Sequence, residues 1–223
     1  MNTWMIFEAD LVTQMPQILA GLVNTLKLAG LISVTGLLLS IAVFYLSISK
    51  NFFIRTVTNA YISFFIGMPL IVLLFLMYYG LPQWGLRMDP FVVAAIGFTL
   101  NVGAYNAAYM KTAYNGLDFI QLEAAAAQGF SPFQIFRLIT LPQVLRLSIP
   151  ALTNQVIGNL KDSSVAFLIQ YTEFFARMQE LAASNFQFFK AYLLTAIVYL
   201  ALVSVIVLCA RALERRMIYP ISH

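Results

Sequence analysis

Leu28–Ser49 reads LAGLISVTGLLLSIAVFYLSIS and holds no charged side chain. As a helix it would rise about 33 Å at ~1.5 Å per residue, which matches a bilayer hydrocarbon core of ~30 Å. Three more charge-free runs of comparable or greater length follow: Thr56–Leu86, Pro90–Met110 and Ala191–Ala210. A fifth run, Leu147–Thr172, is interrupted only by Lys161 and Asp162. The pattern predicts an all-α polytopic membrane protein with about five transmembrane helices, near 17–47, 57–79, 91–112, 150–170 and 191–212.

Composition agrees. The chain is 61% hydrophobic and 10% charged, with a mean hydropathy of +0.83; a soluble domain is about 25% charged. So few charges cannot coat a soluble surface, which excludes a soluble enzyme, a nucleic-acid-binding domain and a secreted disulfide scaffold. One cysteine (Cys209) and one histidine (His223) leave no disulfide and no metal cluster to expect. The net charge of +4 needs no nucleic-acid partner, because membrane proteins concentrate Lys and Arg in cytoplasmic loops.

Those loops set the expected orientation. With the N-terminus outside, Lys50, Arg55, Lys111, Arg137, Arg146, Arg211, Arg215 and Arg216 are cytoplasmic, and only Arg87, Arg177 and Lys190 are external. The positive-inside rule therefore predicts N-terminus outside and C-terminus cytoplasmic. Lys27 lies in the outer turns of the first span, where it can snorkel or face a cavity. Residues 1–26 hold Glu8 and Asp10 but no Lys or Arg, so no signal peptide is expected; Met1–Met15 reads as a short amphipathic segment on the membrane surface. No Pro/Gly/Ser-rich linker and no repeat divides residues 1–223, which read as one domain.

The loop between the third and fourth spans, about 114–146, is the most informative polar stretch. Asp118 with Gln121 has capping-box spacing, and the alanines 124–127 favour a helix over Phe119–Gln128. Gly129 is placed to end it in a left-handed cap. Ser131-Pro132 then opens a second short helix, Pro132–Leu141, with Phe133, Ile135 and Phe136 exposed and Pro142 as its stop. From the residues alone, this pair either packs on its own bundle or docks a soluble partner, whose close approach the small alanine side chains would permit.

Glu123-Ala124-Ala125 with Gly129 and Leu141-Pro142 resembles the EAA loop of ABC importer permeases. The blocks Gln121–Gly129 (QLEAAAAQG), Leu141-Pro142-Gln143, Ile149–Asn154 and Lys161-Asp162-Ser163-Ser164-Val165 resemble the polar amino acid branch, of histidine/arginine/glutamine type, where the pattern runs roughly GQxEAAxALG, LPQA, PxxxN and KDTSL. Gly67-Met68-Pro69-Leu70 resembles its R-G-T-P-L segment, and Gly21 with Asn24-Thr25-Leu26 the opening of its first helix. The chain departs from the pattern at Ile66, Met68, Ala108, Lys111 and Ile120. These departures fit either half of a heterodimeric permease or simple divergence.

The resemblance implies a permease subunit of an ATP-driven amino acid uptake system in the cell (inner) membrane. It implies a second permease chain, homo- or heterodimeric, cytoplasmic ATP-binding subunits docked at the loop, and an external solute-binding protein. Glu123, Ala124, Ala125, Gly129 and Pro142 would couple to the ATPase. Asp162, Lys161, Gly67, Met68 and Ser163 are candidates for contact with a polar or basic amino acid. No G-x-x-x-x-G-K-[ST] run occurs, so the chain is expected to be no enzyme and to hold no cofactor, ATP and Mg belonging to the partner ATPase.

Other readings are a different ABC importer branch, a secondary transporter, a small channel or an intramembrane enzyme. A secondary transporter would show paired repeats, a channel a ring of carbonyl-donating motifs, and an enzyme a histidine or H-E-x-x-H in a span. A charge at a span centre costs ~2.5–3.5 kcal/mol on insertion scales, so Asp162 must face either a partner side chain or a wet cavity. Neighbouring helical residues point about 100° apart, so Lys161 and Asp162 cannot both face one cavity squarely.

Overall fold

The structure, a computed structural model, describes residues 3–217. Met1, Asn2 and His223 lie outside the described residues, as do the side chains of Arg215 and Arg216. Helix α1 is Thr3–Ser47, α2 is Phe52–Gly67 and α3 is Leu70–Phe75, which continues through a π-turn Leu76–Gly80 and a 3-10 turn Leu81–Trp84. Helix α4 is Pro90–Asn115, α5 is Ile120–Ala127, and α6 is Pro132–Ile135, leading through a π-turn Phe136–Thr140 into α7, Leu141–Asp162. A 3-10 run Ser163–Ile169, α8 (Phe174–Asn185) and α9 (Phe188–Met217) complete the described chain. The stretches Phe7–Ser47, Pro90–Asn115, Pro132–Ile169 and Phe188–Ala212 are long and apolar enough to cross a membrane, and the bent α2–α3 pair makes up to five spans.

The N-terminal stretch departs from expectation. It is not a separate surface segment: α1 runs unbroken from residue 3 to residue 47 with Pro16 inside it. Phe7 and Ile18 are buried with Phe174, Met178, Leu181, Ala182 and Ala191, so packing against α8 extends the helix beyond the apolar run. Helix α8 is an addition to the expected spans. Its charges Arg177 and Glu180 pair at 2.7 Å, the stem of Arg177 lying close to Gly21 of α1, while Phe174, Met178, Leu181 and Ala182 form its buried apolar side.

Helices α1 and α4 form the centre of the bundle. Glycines bring them close: a Cβ on Gly36 would lie 2.5 Å from Val102 Cγ1, and one on Gly103 2.8 Å from Leu39 Cδ2. Without a hydrophobic drive between helices in lipid, such small residues let backbones approach and gain dispersion contact. The hydroxyls of Thr35 and Thr99 share a hydrogen bond of 2.6 Å across the same seam.

The expected second span, 57–79, is broken. Helix α2 stops at Gly67 because Met68 takes an extended backbone (φ −96°, ψ 128°) ahead of Pro69, as proline's ring demands of the residue before it. The two limbs are bent by 99°. The fourth span likewise begins earlier than 150: Pro142 does not stop the preceding helix but sits in the first turn of α7. The π-turn before it supplies the wider geometry that accommodates a proline ring.

Candidate functional site

Breaking α2 leaves the carbonyls of its last turn without helical partners. Side chains of α4 take them over: Asn101 Nδ2 donates to the Phe65 carbonyl at 3.0 Å, and the Tyr105 hydroxyl approaches the Ile66 carbonyl at 3.5 Å. The break and its caps form one wall of a cavity of about 460 Å³. Ile66, Gly67, Met68, Pro69 and Leu70 line it from the break, Asn101 and Tyr105 from α4, and Gln155, Gly158 and Asp162 from α7. No heavy atom lies within 4 Å of a Cβ added at Gly67, and one at Gly158 meets only Gln155 and Asp162 side-chain atoms at 3.9 and 4.0 Å. Both glycines thus keep the space open. Behind the wall, Gln155 donates to Asn159 at 3.0 Å and Asn159 donates to Ser33 of α1 at 3.0 Å, which holds this face of α7 in register.

Of the five residues expected near a substrate, the fold brings three together: Gly67, Met68 and Asp162. Asp162 forms no ion pair among the described residues. Lys161 faces elsewhere, into a groove of about 460 Å³ with Tyr192, Thr195 and Tyr199 of α9, in keeping with the angle between neighbouring helical positions. Ser163 is fully buried and donates to the Leu160 carbonyl at 2.7 Å, so it lines neither space. Sequence reading misses Asn101, Tyr105, Gln155 and Gly158. Their signal is spacing: Asn101 and Tyr105 are four apart, and Gln155, Gly158 and Asp162 follow at three and four, the period of one helix face.

At the other end of the bundle, Gly129 has φ +87°. Its N–H donates to the Ala126 carbonyl and that of Phe130 to the Ala125 carbonyl, the bond pair of a Schellman cap. Glu123 and Ala124 are exposed and Ala125 is buried. The expected capping box does not close: Asp118 accepts from the Ile120 N–H at 2.9 Å, but Gln121 exchanges two amide bonds, 3.2 and 3.0 Å, with Gln143 of α7. That exchange clamps α5 to the start of α7. Phe136, expected to be exposed, is buried against Phe44 and Tyr45 of α1, with ring centroids 5.8 and 4.6 Å away. Phe133 (56% exposed) and Ile120 (72%) remain on the outward surface of the corner.

The chain is 37% identical over 195 residues to PatM of Vibrio harveyi, described as a probable amino-acid ABC transporter permease, covering 86% of this chain and 87% of that protein. It is 41% identical over 170 residues to YxeN of Bacillus subtilis, described as a probable amino-acid permease, covering 75% and 76%. The crystal structure of an amino acid ABC transporter with histidines superposes with a TM-score of 0.83 at 28% identity, covering 92% of this chain and 96% of that one. Residues 32–219 match the family described as binding-protein-dependent transport system inner membrane component, and the chain belongs to that family, as a transmembrane permease subunit of an importer.

Proposed function

We propose that this permease carries polar or basic amino acids and that Asp162 receives the cationic end of the substrate. The observation that supports it is the cavity at the broken span: a carboxylate without an ion partner among the described residues, facing open space kept by Gly67 and Gly158. In a low-dielectric surround an ion pair is stronger than in water. Asn101, Tyr105 and Gln155 add hydrogen-bonding groups around it. The names of the two related permeases, both given as probable amino-acid permeases, support an amino acid as the substrate.

The whole chain, 1–223, acts as one transmembrane domain with its N-terminus outside and the 114–146 loop in the cytoplasm. It forms half of the translocation pathway beside a second permease chain. The α5 corner, with Glu123, Ala124, Ala125 and Gly129 along it and Pro142 behind it, docks a cytoplasmic ATPase that supplies ATP and Mg, while an external solute-binding protein delivers the amino acid. Family membership supports the ATPase and binding protein as partners.

The test is Asp162→Asn in vesicles reconstituted with the ATPase and binding protein. A charge-assisted hydrogen bond contributes about 1.5–3 kcal/mol, so uptake of arginine, lysine and histidine should fall about 10- to 100-fold while binding-protein-stimulated ATP hydrolysis persists. Unchanged uptake, or failure of the complex to assemble, would assign Asp162 to the scaffold.

A further inference from the structure

The N-terminal part of α1 and the start of α9 meet beside the turn that ends α8, and between them lies a cavity of about 860 Å³ that shares no residue with the Asp162 cavity. Asp10 of α1 and Lys190 of α9 both line it. The two carry opposite charge yet form no ion pair among the described residues. Each is held by a neutral amide instead: Asn185 Nδ2 donates to Asp10 Oδ2 at 3.1 Å, and the Lys190 ammonium donates to Gln187 Oε1. Lys190 also lies over the Trp4 ring, 4.4 Å from its centroid. The Gln187 N–H donates to Asn185 Oδ1 at 3.0 Å, so the two amides that hold the charges are braced against each other. These bonds use one Asp10 oxygen and one Lys190 N–H, which leaves an acceptor and donors for a ligand.

Depth in the membrane decides what that ligand is. The apolar stretch Phe188–Ala212 begins at the cavity's edge. That sets the cavity at the level of the lipid headgroups, where tryptophan and snorkelling lysine side chains concentrate. Phe189, which also lines the cavity, is 76% exposed and heads a stripe of exposed apolar side chains that continues through Leu193, Ile197 and Leu200, the spacing of one helix face. A ligand seated here has its polar end between Asp10 and Lys190 and its apolar end along α9. The polar end must carry both charges, because a phosphate without a cation would face the Asp10 carboxylate uncompensated. A quaternary ammonium has no N–H to give that carboxylate, whereas a primary ammonium has three. A phosphodiester accepts a charge-assisted hydrogen bond from Lys190.

We propose that this cavity binds phosphatidylethanolamine from the leaflet on the N-terminal side of the spans, the outer leaflet in the orientation given above. The lipid's phosphate accepts from Lys190, its ammonium donates to Asp10, and its acyl chains lie along Phe189, Leu193, Ile197 and Leu200. The bound headgroup bridges the N-terminal part of α1 to the start of α9. A free amino acid carries the same pair of charges but has nothing to lie along the stripe. The site does not depend on the role given to Asp162.

The test puts the photoreactive residue benzoylphenylalanine in place of Phe189 in the full chain, assembled with its ATPase in nanodiscs. The discs hold equal amounts of phosphatidylethanolamine, phosphatidylcholine and phosphatidylglycerol with identical acyl chains, and the lipid adducts formed on illumination are counted by mass spectrometry. Phosphatidylethanolamine should outnumber each of the others by about tenfold, the equivalent of one charge-assisted hydrogen bond. The same label in place of Leu208, 65% exposed further along α9, should show a preference below about twofold. Lys190→Gln and Asp10→Asn should each bring the ratio at position 189 down to that level. Equal labelling by the three lipids at position 189, a ratio that neither substitution moves, or an adduct to a protein in place of lipid overturns the proposal. A millimolar mixture of the protein amino acids should leave the lipid adducts unchanged; their displacement would make the cavity an amino acid site and overturn the proposal as well. Should the label at position 189 prevent insertion, the Leu193 position carries it one turn further on with the same outcomes expected.

Discussion

Asn101 of α4 caps the broken end of α2: its side-chain amide donates to the Phe65 carbonyl at 3.0 Å although the two residues are 36 apart in sequence. One polar side chain in an apolar span thereby satisfies the backbone that Pro69 interrupts and helps line the cavity that the interruption opens.

Asn101→Leu should therefore both destabilise and inactivate. It leaves a carbonyl of α2 without its donor, a loss of about 1–3 kcal/mol. Thermal unfolding in detergent should show a lower midpoint than wild type. An unchanged midpoint would mean that the break needs no cap from α4.

The α1–α4 contact offers a paired measurement. A methyl on Gly36 would overlap Val102, with its Cβ 2.5 Å from Val102 Cγ1, whereas Gly30 has nothing within 4 Å of an added Cβ. Gly36→Ala should cost about 1–3 kcal/mol by overpacking. Gly30→Ala should be neutral or slightly stabilising, since alanine restricts the unfolded chain. Equal unfolding midpoints for the two variants would contradict the close approach.

Gly129→Asp should abolish uptake while leaving the chain inserted. The space around Gly129 is open, so the effect comes from the backbone: at φ +87° a β-carbon costs roughly 1–2 kcal/mol and turns the corner away from its partner. Loss of ATPase co-purification with normal membrane content is the expected outcome. Wild-type uptake would refute the docking role.

Orientation is checked by labelling single cysteines in the Cys209→Ser background. Phe186, 81% exposed at the turn between α8 and α9, should react as Phe186→Cys with an impermeant thiol reagent added outside. Gln128→Cys, beside the Schellman glycine, should react only after the membrane is opened. The reverse result would invert the topology.

The membrane class, the apolar runs and the Gly129 corner were legible in the residues alone, because each depends on local chemistry. Apolar length decides whether a segment crosses lipid, and a glycine after an alanine-rich helix decides where that helix ends. The angle between Lys161 and Asp162 was legible too, since helical spacing alone separates neighbouring side chains. Other features emerged only when distant elements met. Whether Gly67-Met68-Pro69 merely kinks a span or breaks it depends on whether other elements satisfy the freed carbonyls, and Asn101 and Tyr105 do so from α4. Gln121 had the spacing to cap its own helix, but the offer of two bonds from Gln143 outweighed the local one. Phe136 and the polar helix α8 were hidden for the same physical reason. Burial depends on what lies opposite a side chain, and for both of them that neighbour is α1, remote from them along the chain and adjacent only in the fold.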